Sequence, residues 1–195
     1  MSRKKKRWEN EELLHIGRRE SHSDFHRSDR ISPRFSLDGE WKFLYLKAPE
    51  YSPEGFCDKY FDDAAWEDIP VPSCWQMQGF GQPHYTDVWY LFPINPPFVA
   101  SENPTGTYRK TIEIPDEWKS GRKILRFEGV GSAFDLWING THVGYSKVSH
   151  LASEFDVTGC LQLGENQITV RVYQWSDGTY LEGQDKSWFG GIFRS

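Results

Sequence analysis

The chain has 195 residues and a formal net charge of −5, with a pI ≈ 5.7; that is enough polymer for one domain with a real core and too acidic for a nucleic-acid binder. Its only basic run, Arg3 to Arg7, reads as a solvated tail, no apolar run follows it as a signal peptide requires, and no stretch is apolar enough to cross a bilayer. Cys57, Cys74 and Cys160 lack metal-ligand spacing and read as reduced thiols of a cytoplasmic protein, while an aromatic content of 16%, including nine tryptophans, points to a β-rich core, a carbohydrate-facing surface, or both.

Residues 1–35 form a polar arm with isolated apolar anchors at Trp8, Leu13, Leu14 and Ile16, expected to pack on another surface or to be disordered without it. His22 and His26 have the spacing of two helical metal ligands, but no third ligand follows, so they read as solvated. Residues 36–195 carry the pattern of an antiparallel sandwich. Asp38-Gly39 is a turn, and Trp41, Phe43 and Tyr45 then share one strand face at period two. A short helical turn is expected near Asp62 to Trp66, and Ile69-Pro70-Val71-Pro72 is extended. Residues 73–104 are too proline-rich for a helix and too apolar for an idle linker; a connection this long is commonly functional. Alternation returns at Tyr108 to Ile114, Lys123 to Phe127, and Phe134 to Ile138. Asn139-Gly140 then signals a tight hairpin; Asn139-Gly140-Thr141 is also a glycosylation sequon, for which the turn is the preferred use. The last clear strand is Gln167 to Tyr173.

Beyond it, residues 175–194 leave regular structure, yet hold Trp175, Tyr180, Trp188, Phe189 and Phe193 beside Glu182 and Asp185. Ring faces cover the apolar C–H face of a pyranose, and carboxylates accept bonds from its hydroxyls, so this loop is the candidate sugar site. An aspartate in a polar loop is more often a turn or cap residue. Trp188 reads equally as core or as sugar platform, and Glu182 reads as structural.

Several motifs in fixed order sharpen this: Trp75-Gln76-Met77, Asn95-Pro96-Pro97-Phe98-Val99, Glu102-Asn103-Pro104-Thr105-Gly106, Ser153-Glu154-Phe155-Asp156, Trp175-Ser176-Asp177-Gly178 and Gly191-Ile192-Phe193-Arg194. The set closely resembles the N-terminal sugar-binding domain of β-galactosidases of glycoside hydrolase family 2. The resemblance implies an all-β jelly-roll sandwich, one strand short of the family's domain. It implies that Asp185 contacts a galactosyl group and helps hold a sodium ion shared with the catalytic domain. Asp87 stands where the best-known members have a sugar-binding asparagine; a carboxylate there accepts but no longer donates. A divalent site that joins the arm to this domain in some relatives matches Asn10 and Asp177. Arg7 and Lys147 replace its other oxygen donors, which predicts that the site is lost, with Lys147 pairing to a carboxylate instead. Magnesium is expected only in a full-length enzyme. The catalytic glutamates of the family lie in another domain, so these residues alone are expected not to hydrolyse a β-galactoside such as lactose. The alternatives are a free-standing carbohydrate-binding or complementing module, and an arm that mediates homo-oligomer contacts. The expected partners are the sugar and the remaining domains of the enzyme, with no nucleic acid and no membrane.

Overall fold

The computed structural model describes residues 3–20, 34–86 and 89–194. Its strands, in chain order, are β1 (His15–Ile16), β2 (Gly39–Leu46), β3 (Glu67–Val71), β4 (Tyr85–Thr86), β5 (Thr105–Ile114), β6 (Ile124–Phe127), β7 (Gly129–Gly131), β8 (Ala133–Ile138), β9 (Thr141–Lys147), β10 (Ser153–Asp156), β11 (Gly164–Tyr173), β12 (Lys186–Ser187) and β13 (Gly191–Arg194). One short helix, α1 (Thr179–Glu182), interrupts the last loop. Seven strands make one antiparallel sheet in the order β1-β9-β8-β11-β5-β2-β3. The pairs β6–β10 and β7–β13 lie across from it, and Phe127, Phe155, Val130 and Ile192 from these pairs join Trp41, Phe43, Tyr108, Leu136, Ile138, Ile168 and Val170 from the large sheet in one core. This is the antiparallel jelly-roll sandwich expected from the sequence.

The period-two pattern explains the core-facing half. Trp41 and Phe43 point inward and are buried, with Tyr45 partly buried beside them. The Asn139-Gly140 turn joins β8 to β9; both residues have positive φ, 51° and 83°, as a two-residue hairpin with right-handed strand twist needs. The Asn139 side chain donates to the Cys160 carbonyl and to Asn166 Oδ1, and accepts from the Gln167 amide, so the residue serves as a turn locked onto β11. Asp62 to Trp66, expected as a helical turn, form instead an irregular turn closed by Trp66 N–H to the Asp63 carbonyl.

The other face of the large sheet is polar in sequence yet buried. Arg109 lies there, donating to Asp63 Oδ2 at 2.7 Å, to the Phe56 carbonyl at 2.7 Å and to Thr169 Oγ1 at 3.2 Å. It thereby holds the 56–63 loop as a lid over that face. The arm covers the rest. β1 pairs with β9, Trp8 stacks on Tyr173 with ring centroids 4.4 Å apart, and the Asp177 amide donates to the Trp8 carbonyl. The basic run is not a free tail: it is exposed, but Arg3, Lys5, Lys6 and Arg7 are paired to Glu9, Glu11, Glu50 and Asp135. The run stays solvated as read, and its pairs to Glu50 and Asp135 fasten it to the domain. Of the arm, residues 21–33, which include His22 and His26, lie outside the described residues. Among the described residues no helix is long and apolar enough to cross a membrane.

Candidate functional site

The 175–190 loop is fixed from below before it exposes anything. Asn103 grips its start with both ends of its amide, Nδ2 donating to the Trp175 carbonyl at 2.8 Å and Oδ1 accepting from the Trp175 amide at 2.9 Å. Trp75 grips its end. The ring is fully buried between two glycines, since a Cβ on Gly106 or on Gly190 would lie 2.6 Å from it. Its indole N–H donates to the Tyr108 hydroxyl, its backbone amide to the Gly190 carbonyl, and Gln76 Oε1 accepts from the Gly190 amide. Burial pushes the Tyr108 phenol up, so that hydroxyl stays protonated. Two of the motifs that carried the resemblance are thus clamps for this loop.

Glu182 ends α1 and accepts from the Ser149 hydroxyl at 2.5 Å and from the Ser149 amide, which is the structural role expected of it. Trp175 and Trp188 are not sugar platforms. Trp188 is 4% exposed, and both belong to a second buried cluster with Trp8, Phe92 and Tyr173. Aromatic content at a loop signals recognition only when the rings reach water, and here two of them are the loop's own core. A cavity of ≈ 300 Å³ lies beside the loop, lined in part by Ser132, Ser149, His150, Glu182, Lys186 and Trp188; Asp185 does not line it.

Asp185 stands at the tip. It is exposed, with φ 45°, in the left-handed region that aspartate tolerates better than most residues. β12, which starts at the next residue, pairs with β4 so that Lys186 faces Thr86 and Ser187 faces Tyr85. The register brings Tyr85 beside Asp185, and its hydroxyl donates to Asp185 Oδ1. Among the described residues Oδ2 has no hydrogen-bond partner. Asp87 lies outside the described residues; its chain neighbour Thr86 sits opposite the residue after Asp185. Tyr85 escaped the sequence reading, because its contact spans 100 positions and no local pattern marks it. Its ring is exposed, as is that of Trp89, 79% exposed, four residues on in the chain.

Among the described residues no three or more His, Cys, Asp or Glu side chains converge as a metal site. Asp185 offers a hard carboxylate oxygen, fit to be one ligand of a cation whose remaining ligands come from elsewhere. The three cysteines are free, and partial burial raises the thiols of Cys57 and Cys74, which favours their protonated form.

Three comparisons bear on this arrangement. The family profile for "Glycosyl hydrolases family 2, sugar binding domain" matches residues 35–195. The β-galactosidase of Psychromonas ingrahamii is 46% identical over 196 residues, covering 96% of this chain and 19% of that protein. A β-galactosidase of Vibrio vulnificus matches at the same identity and coverage. The chain therefore spans about a fifth of the length of these curated relatives. Among solved structures, a β-glucuronidase of Bacteroides uniformis superposes with TM-score 0.63 at 27% identity, over 82% of this chain and 17% of that one. The β-glucuronidase 2 of the same organism, covalently bound to cyclophellitol-6-carboxylate aziridine, gives TM-score 0.63 at 28% identity, over 82% and 17%. The profile spans the sandwich from β2 onward together with the clamped loop that carries Asp185, and the chain belongs to the sugar-binding domain family of the family 2 glycosyl hydrolases.

Proposed function

We propose that this domain supplies one wall of the galactose subsite of a β-galactosidase, with Asp185 as its polar contact. The observation that carries the reading is the exposed Asp185 carboxylate, held on a loop clamped at both ends and oriented by the Tyr85 hydroxyl, with its other oxygen unbonded among the described residues. An ionised carboxylate accepts bonds from two sugar hydroxyls or from one hydroxyl and a shared cation. The faces of Tyr85 and Trp89 suit the apolar side of a pyranose. The naming of the similar proteins as β-galactosidases supports galactose as the sugar.

The chain's residues position the sugar; they do not break the bond. Retaining glycosidases need two carboxyl groups about 5–5.5 Å apart across the scissile bond. Glu182, the nearest acidic neighbour in sequence, is tied to Ser149. The acid/base and nucleophile are assigned to the catalytic domain of the same enzyme. A sodium ion shared by Asp185 and that domain would screen the carboxylate and present a second electrophilic contact to a sugar hydroxyl. Holding the galactosyl ring in an attack-ready pose turns binding energy into rate.

The test is the kinetics of Asp185→Asn in the full-length enzyme. A hydrogen bond to a charged group is worth about 1.5–3 kcal/mol, so kcat/KM should fall by about 10- to 150-fold. Unchanged kinetics would remove Asp185 from the site. Galactose binding by the domain alone, as strong as in the intact enzyme, would favour a free-standing binding module over a completed subsite.

A further inference from the structure

We infer that the Lys147 ammonium is the resident cation of the junction between arm and sandwich, and that this junction neither needs nor binds a divalent metal ion. In the resembling enzymes a metal at this place would draw oxygen ligands from Asn10, Asp177 and the positions of Arg7 and Lys147. The donor set here does not fit one. Lys147 Nζ lies 2.7 Å from Asp177 Oδ1, 2.7 Å from Asp177 Oδ2 and 3.0 Å from the Asn10 carbonyl. The side chains are 3% and 10% exposed, so the pair is shielded from solvent. An ammonium has three protons and no acceptor, and three oxygens receive it. A divalent ion needs six or more oxygens at about 2.0–2.6 Å. The oxygens that would hold it are already turned onto a nitrogen, and its arrival would place two cations side by side. Arg7 adds to this exclusion. Its guanidinium is committed to Asp135 and lies 5.8 Å from the Tyr145 ring.

The consequence is mechanical. Asn10 belongs to the arm, Lys147 ends β9, and Asp177 opens the loop that carries Asp185. One side chain therefore ties three segments together, and the Asp177 amide completes the tie by donating to the Trp8 carbonyl. In a metal-bridged junction the same tie would loosen whenever the metal was withdrawn. Here it is covalently part of the chain.

Hydrogen exchange at the Glu9, Asn10 and Asp177 amides reads the junction directly, whatever metal the rest of an enzyme holds. In the unaltered protein their protection should be the same in excess Mg²⁺ and in excess chelator. Lys147→Gln should lower it by about 100-fold or more, the equilibrium equivalent of removing one partner of a buried ion pair. Adding Arg7→Asp to Lys147→Gln restores an oxygen-rich donor set, so Mg²⁺ should then raise the protection and chelator abolish the gain. Loss of protection in the unaltered protein on chelation would overturn the inference, and that arm needs no variant to fold. So would protection in Lys147→Gln equal to that of the unaltered protein.

Discussion

Asp185 combines exposure, a left-handed backbone and, among the described residues, a hydroxyl donor on one of its two oxygens. Because the side chain makes no buried contact, Asp185→Asn should leave stability within about 0.5 kcal/mol while it lowers kcat/KM. Thermal unfolding measured beside the kinetics separates the two effects. Tyr85→Phe should cost less, about 0.5–1.5 kcal/mol of transition-state stabilisation, because it frees the carboxylate without removing it. In a double-mutant cycle the two losses should not add, since the hydroxyl acts through the carboxylate. Additive losses would mean that Tyr85 works independently, as a ring face under the sugar. The sequence points to Asp185 because a run of family motifs surrounds it. Nothing local points to Tyr85, because only the β4–β12 register brings it there. Trp188 was ambiguous for a general reason: apolar area in a loop is the same signal whether the loop buries it or offers it.

The loop that bears Asp185 owes its position to contacts made far from its tip. Trp75 fits between Gly106 and Gly190 with no space for a methyl group on either side. Gly190→Ala should force the ring or the loop to shift and cost about 1–3 kcal/mol, read as a lower urea midpoint at unchanged m. It should also raise KM in the intact enzyme, whereas Gly106→Ala, on β5 and meeting the same ring at Cζ2 and Cε2, should cost similar stability without moving the loop. Hairpins and strand faces were legible here: Asn139-Gly140 and the Trp41, Phe43, Tyr45 stripe appear as read. The second face was not. Alternation says that Arg109, Thr169 and Asp135 point away from the core, but not that water is there. The 56–63 loop and the arm cover them, and that coverage comes from segments distant in sequence.

The sandwich and the arm form one packed unit among the described residues, with two aromatic-rich cores on opposite faces of the large sheet. Leu136→Ala, in the main core, should destabilise by about 2–5 kcal/mol in equilibrium unfolding. The exposed pairs Lys5–Glu11 and Lys6–Glu50 should contribute little and be screened by salt. The buried Lys147–Asp177 pair should persist in high salt, so the arm stays docked. The described residues thus present a self-bolted platform with the exposed Asp185 carboxylate at its edge. A crystal structure of the intact enzyme with a galactose-based inhibitor would test this most directly. A sugar hydroxyl within hydrogen-bond distance of the Asp185 carboxylate is the expected result; an inhibitor bound in the catalytic site with Asp185 in contact with neither sugar nor a bridging cation would contradict it.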